Sequence, residues 1–180
     1  MIQTFRQEWD SAKKLAREVY QISDNHIAKT SKLMSNKFIE HLKREYRITK
    51  ELYEQGINVP KPEGIFNVNL TFFDSVHKDY VSFTKPTLVM EYISGKSFEQ
   101  VSAETGSQID EMNKLWKLAF EEINKAEKLG FVPVDSGEVN DGNQIWCPER
   151  NKVYLIDFEY WGYHPPKFSQ KLKYFWRNLI

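Results

Sequence analysis

The pattern of apolar and polar positions is most informative at Lys152-Val153-Tyr154-Leu155-Ile156-Asp157-Phe158-Glu159, where four apolar residues run without a polar break into an acidic one. Such a run predicts a strand buried on both faces. A carboxylate at the mouth of a buried strand is costly to desolvate unless a cation meets it. Asp157 is therefore either a turn or helix cap or a metal-binding group. Just upstream, Gln144 to Cys147 and Val153 to Ile156 predict paired strands around the turn Pro148 to Asn151.

At the start of the chain, Ile2, Phe5, Trp9, Ala12, Ala16 and Val19 fall at helical spacing and predict an amphipathic opening helix. Arg17 to Ser23 alternates polar and apolar, Asp24-Asn25 signals a turn, and His26 to Lys29 resumes a short strand, together a hairpin. A helix is expected from near Ser35 to Gly56, with an apolar stripe of Phe38, Leu42, Tyr46, Leu52 and Tyr53. Glu45 projects from within that stripe, so it either reaches solvent from the edge or meets a partner of opposite charge.

Pro60-Lys61-Pro62 breaks the chain. Two strand-like runs follow, Phe66 to Phe73 and Thr87 to Ile93, with Asp74 to Lys85 read as the loop between them. Met90-Glu91-Tyr92-Ile93-Ser94-Gly95 ends a strand in a small flexible piece, a boundary between two lobes. A long helix is predicted from Ile109 to Leu129, with Met112, Leu115, Trp116, Ala119, Phe120 and Ile123 as its core face. Phe131 to Asn143 reads as loop, and the tail from Pro165 is helix-like through Phe168, Leu172, Phe175, Trp176 and Leu179.

Composition narrows the function classes. With 180 residues the chain is one domain or two small lobes sharing a cleft. Lysine plus arginine balance aspartate plus glutamate at 25 each, so no global charge recruits nucleic acid or membrane. The single cysteine, Cys147, excludes an internal disulfide and fits a reducing cytosol. His26, His41, His77 and His164 show no ligand spacing, which argues against a zinc enzyme. Met1 to Asp10 has no apolar core flanked by basic residues, and no run approaches membrane-spanning length. A cytoplasmic location is the expectation.

Taken in order, the parts are a strand with Lys29, a helix with Glu45, the strand and hinge Leu88 to Gly95, a long helix, an acidic loop, a strand pair and Asp157. This order resembles the protein-kinase-like superfamily. Ile27-Ala28-Lys29 resembles its phosphate-binding lysine strand, and Glu45 the helix glutamate that pairs with that lysine. Leu155-Ile156-Asp157-Phe158-Glu159 resembles the magnesium-binding motif, with glutamate at the third position as in choline- and aminoglycoside-type small-molecule kinases. The resemblance spans Val19 to Tyr163. It implies an α+β, two-lobed kinase-like domain: an N-lobe over about residues 1–92, a hinge over about 91–95 and a reduced C-lobe over about 96–180.

The implied cofactors are ATP and magnesium, and the implied partner is an acceptor hydroxyl on an unknown protein or small molecule. By this resemblance Lys29 holds the α and β phosphates and Glu45 orients it. Met90 lines the pocket behind the hinge. The Glu91 carbonyl and the Ile93 amide and carbonyl meet adenine, and Asp157 bridges magnesium to the phosphates. Gly130 to Asp135 resembles the approach to the catalytic loop, which places Asp135 in the role of the aspartate that meets the attacking hydroxyl. Asn140 has the expected spacing for the magnesium asparagine, but Asn143, directly before the strand Gln144-Ile145-Trp146, fits the approach to Asp157 better. Glu138 and Asp141 are rivals in the same loop.

Two departures point to other readings. Pro133 stands where the family carries histidine, and there is no glycine before Gly56, so no glycine-rich loop covers the phosphates. Segment Trp9 to Lys14 is a candidate replacement. The chain ends at Ile180, a brevity resembling Rio-type and other minimal atypical kinases. One rival is a pseudokinase, a binding or scaffolding module without chemistry. The other is an unrelated α+β domain.

Overall fold

Alternation along one short strand, β3 (His26–Lys29), decides how the first part of the chain packs. Successive side chains of a strand leave opposite faces, so Ala28 goes one way while Ile27 and Lys29 go the other. Ala28 is buried with Phe66, Val68 and Val89. Ile27 packs with Leu42, Leu88 and Met90. Leu42 belongs to α1 (Asn36–Glu54), so the helix covers the face towards which Lys29 points.

The computed structural model describes residues 13–16, 19–30, 36–74, 78–105, 109–133, 143–159 and 161–163. The fold is mixed α and β with antiparallel sheets. It divides into two units, residues 1–53 with 60–94, and residues 54–59 with 95–180.

In the first unit β1 (Lys13–Ala16), β2 (Val19–Ser23), β3, β4 (Pro62–Asp74) and β5 (Asp79–Glu91) form an antiparallel sheet in the order β1-β2-β3-β5-β4. The expected β2–β3 hairpin is present, turning at Asp24-Asn25. Of the expected opening helix, the described residues 13–16 and 19 are strand. Lys13 and Lys14 pair with Gln21 and Tyr20 across a β1–β2 ladder, and Ala16 and Val19, expected on one helix face, stand opposite each other in it. The part of that helix before residue 13 lies outside the described residues.

The loop expected over Asp74 to Lys85 is also corrected. β4 and β5 form one long hairpin whose ladder sets Leu70 opposite Phe83, Phe72 opposite Val81 and Phe73 opposite Tyr80. The paired positions lie too far apart in sequence for a short-window reading to join them. Along α1 the buried positions are Leu42, Glu45, Ile48, Thr49 and Leu52, whereas Tyr53, expected in the stripe, is 42% exposed. Gly56, at φ +76°, follows the helix in the left-handed conformation that glycine adopts without strain.

The second unit holds β6 (Lys96–Ser97), α2 (Phe98–Thr105), α3 (Ile109–Lys128), β7 (Phe131–Pro133), β8 (Gln144–Cys147), β9 (Lys152–Leu155) and β10 (Trp161–Tyr163). Its sheets are β6-β8-β9 and β7-β10. The β8–β9 pair is the one expected, with Gln144 opposite Leu155 and Trp146 opposite Val153.

Helix α2 begins with a reciprocal cap. The Gln100 amide donates to Ser97 Oγ (3.2 Å) and the Ser97 amide to Gln100 Oε1 (2.9 Å), which satisfies two otherwise orphaned donors. α3 carries acids in its first turn and lysines in its last, in the sense its dipole favours. Its Leu115 and Ala119 pack on Val153 and Phe98, with Trp116 edge-on to Phe98 at 4.9 Å. Phe120, expected in this core, is 40% exposed. The loop expected from Phe131 begins instead as strand β7, whose partner β10 lies far along the chain and leaves no local periodicity. The helix expected beyond Pro165 lies outside the described residues. Among the described residues no helix is long and apolar enough to cross a membrane.

Gly95 enters β6 where the backbone of β8 runs closest. A Cβ placed on it would lie 2.3 Å from the Trp146 carbonyl oxygen, inside any tolerable contact, and a backbone carbonyl cannot rotate away. Gly95→Ala is therefore expected to lower stability by at least the 1–3 kcal/mol typical of overpacking. It should be read as a lower urea midpoint at unchanged slope.

Candidate functional site

Lys29 closes β3 opposite Leu88. Its ammonium lies 2.9 Å from Glu45 Oε2 and 3.1 Å from Oε1, and the two side chains are only 14% and 3% exposed. Glu45 sits in the buried line of α1, where the hydroxyl of Thr49 donates to its backbone carbonyl at 2.8 Å. Withdrawing both charges from water costs several kcal/mol per ion, so such a pair is rarely kept for stability. Its physical effect is to fix an ammonium at the end of a strand, and an ammonium so held is suited to anionic oxygens such as those of phosphate.

The residues expected to meet a nucleotide base lie at the end of β5. Met90 is 6% exposed and packs with Leu42 and Leu88 between sheet and helix. The Glu91 amide donates to the Lys61 carbonyl (2.8 Å), and its carboxylate accepts from the Lys61 amide (3.2 Å). The Tyr92 amide donates to the Asn25 carbonyl (2.8 Å). The amides of Glu91 and Tyr92 are thus taken up inside the unit. Ile93, buried at 3% exposure, follows beyond the strand.

In the second unit Asn143 and Asp157 are brought to the same end of the β8–β9 pair. Asn143 directly precedes β8, and Asp157 follows β9 by two residues. The Ile156 amide donates to the Asn143 carbonyl at 3.0 Å. Asp157 takes φ +62°, a left-handed conformation that costs an L-residue about 1–2 kcal/mol and that Asp and Asn tolerate best. Directly after it Phe158, 1% exposed, packs edge-on to Trp161 at 5.1 Å and anchors the turn.

A carboxylate and an amide oxygen form a hard donor set. Were both side chains turned to one ion, magnesium would suit them, because that ion binds through one or two carboxylates and completes its shell with water and substrate phosphates. Among the described residues no group of three or more His, Cys, Asp or Glu side chains could hold a metal ion.

Asp135, with its rivals Glu138, Asn140 and Asp141, lies outside the described residues. Pro133 ends β7 opposite Trp161. Of the segment Trp9 to Lys14, only Lys13 and Lys14 are described, and both lie in β1.

One functional candidate was missed by sequence reasoning. Glu122, 6% exposed, accepts from the Asn58 amide through Oε2 (2.9 Å) and from Lys125 through Oε1 (2.5 Å). Its signal was the one that marked Glu45, an acid at helical spacing within an apolar stripe, here between Ala119 and Ala126.

No family model and no curated protein matches the chain. Among solved structures it is similar to WbdD, at 17% identity and a TM-score of 0.57, over 96% of this chain. The chain spans 37% of the length of that WbdD chain. At this identity the likeness is one of fold alone.

Proposed function

We propose that the protein is an ATP- and magnesium-dependent phosphotransferase with the two-lobed kinase arrangement, acting on a hydroxyl acceptor. The observation that carries this reading is the buried Lys29–Glu45 ion pair, a costly arrangement whose product is one precisely held ammonium. Phosphoryl transfer needs little covalent chemistry from the protein and depends on positioning and charge neutralisation.

In this reading Lys29 binds the α and β phosphates while Glu45 keeps it charged and oriented. Met90 backs the adenine, whose edge hydrogen-bonds the Glu91 carbonyl and the Ile93 backbone. Asp157 and Asn143 supply oxygens to magnesium, which when bound neutralises phosphate charge. Asp135 orients the acceptor hydroxyl and takes its proton.

A second reading, a pseudokinase that binds nucleotide without transfer, is favoured by two features, the first being that no glycine precedes Gly56 to supply a glycine-rich loop. The second is that Pro133 stands where a histidine is expected, and it is built into the β7–β10 ladder.

The test is a titration of ATP and of adenosine with and without magnesium, on the parent and on Asp157→Asn. Asparagine accepts the left-handed backbone of residue 157, so the substitution removes charge with little change in fold. The parent should bind ATP more tightly with magnesium, the variant should lose that increment, and adenosine binding should be equal in both. An equal magnesium response in the two proteins would remove Asp157 from the metal site. An assay of ATP hydrolysis and of transfer to an acceptor panel then separates enzyme from pseudokinase.

A further inference from the structure

Strand β9 is held on both edges immediately before Asp157. On one edge the Ile156 amide donates to Asn143, and on the other the Leu155 amide donates to the Asn58 carbonyl at 2.9 Å. Asn58 belongs to no helix or strand. Its position is set by its own amide, which donates to the carboxylate of Glu122 at 2.9 Å. A continuous chain of hydrogen bonds therefore runs from Glu122 on α3, through the peptide groups of Asn58, to the strand residue two places before Asp157. All of its members lie in the second unit.

We propose that Glu122 is a positioning residue for the metal-binding end of β9, a role that rests on the phosphotransferase reading above. A carboxylate accepting a backbone N–H makes a stronger bond than a neutral acceptor, and at 6% exposure Glu122 has little water to compete for it. Lys125 meets the other carboxylate oxygen from a largely exposed side chain, which lowers the cost of keeping the charge so near the core. Residues that orient a metal ligand without touching the ion commonly change metal affinity when they are lost. Here the transmitted quantity is the position of the Leu155–Asp157 backbone, at the point where it turns into the left-handed conformation.

The experiment compares Glu122→Leu, which removes the acceptor, Glu122→Gln, which keeps a neutral one, and Lys125→Met, which leaves the Asn58 contact intact. Glu122→Leu should reduce the magnesium-dependent increment in ATP affinity by about tenfold, the lower end of the effect of such supporting residues, with adenosine affinity unchanged. Glu122→Gln should recover most of the increment, and Lys125→Met should match the parent.

Hydrogen exchange supplies a readout that does not depend on nucleotide, since the Leu155 amide should exchange faster in Glu122→Leu. If that variant fails to fold, Glu122→Gln carries both measurements, with a smaller change expected in the same direction. A lower melting temperature with unaltered magnesium response overturns the proposal, because the role is then structural only. Unaltered exchange at Leu155 overturns it as well. A parent that shows no magnesium-dependent binding overturns the function proposed above and the metal role with it, while faster Leu155 exchange in the variant would still locate the fault in the function and not in the hydrogen-bond chain.

Discussion

Lys29→Ala is expected to destabilise the protein by about 3–5 kcal/mol, the usual cost of leaving one member of a buried ion pair without the other. The carboxylate of Glu45 would remain, 3% exposed and 2.9 Å from where its counter-charge had been. Removing both charges should cost far less. Lys29→Met combined with Glu45→Leu replaces two desolvated ions by apolar groups on a face already lined by Leu42, Leu88 and Met90, and such replacements are often neutral or stabilising. Urea unfolding of the single and double variants measures the difference. If the pair serves nucleotide binding, the double variant should be stable and still fail to bind ATP. A double variant that is both stable and fully competent to bind ATP would detach the pair from the proposed site.

Asp135→Asn is expected to cut turnover by roughly a hundredfold or more while ATP affinity stays nearly unchanged, because the residue acts on the attacking hydroxyl and not on the nucleotide. Single-turnover transfer and an ATP titration on the same variant separate the two quantities. Glu138→Gln is the control for the placement of the catalytic group along the loop. A loss confined to Glu138→Gln would move that group three residues onward. Equal turnover in Asp135→Asn and the parent would remove Asp135 from the chemistry.

Elements whose signal is local were legible in the sequence. The β2–β3 hairpin has its turn residues between two short runs, α1 and α3 have apolar stripes and terminal glycines, and β8 and β9 flank a proline-led turn. For Glu45 the stripe showed only that an acid on a buried face would need a cation or an edge to solvent, and the choice of Lys29 as that cation came from the resemblance to kinases. The reading stopped where pairing is non-local. Asp79 to Lys85 has no stripe of its own, and it is strand because β4 lies beside it. Phe131 to Pro133 is strand through partners in β10, a pairing that no window of adjacent residues contains. Among the site residues, the left-handed turn at Asp157 and the Asn143–Ile156 contact are backbone properties, and side-chain identity does not encode them. Glu122 is the exception, because its position between Ala119 and Ala126 was visible and needed only the argument already applied to Glu45.

The division of the chain has a consequence for dissecting the protein. Residues 54–59 belong with 95–180 although the whole of β4 and β5 separates them in sequence. A fragment beginning at Gly95 would therefore lack Asn58. It would leave the Glu122 carboxylate without its backbone donor, and it would strip the edge of β9 at Leu155, presenting an unpaired amide beside a buried strand. Bare strand edges of that kind recruit other chains. A fragment meant to keep the contacts of the second unit therefore has to carry the segment after α1 as well as the residues from Gly95 onward.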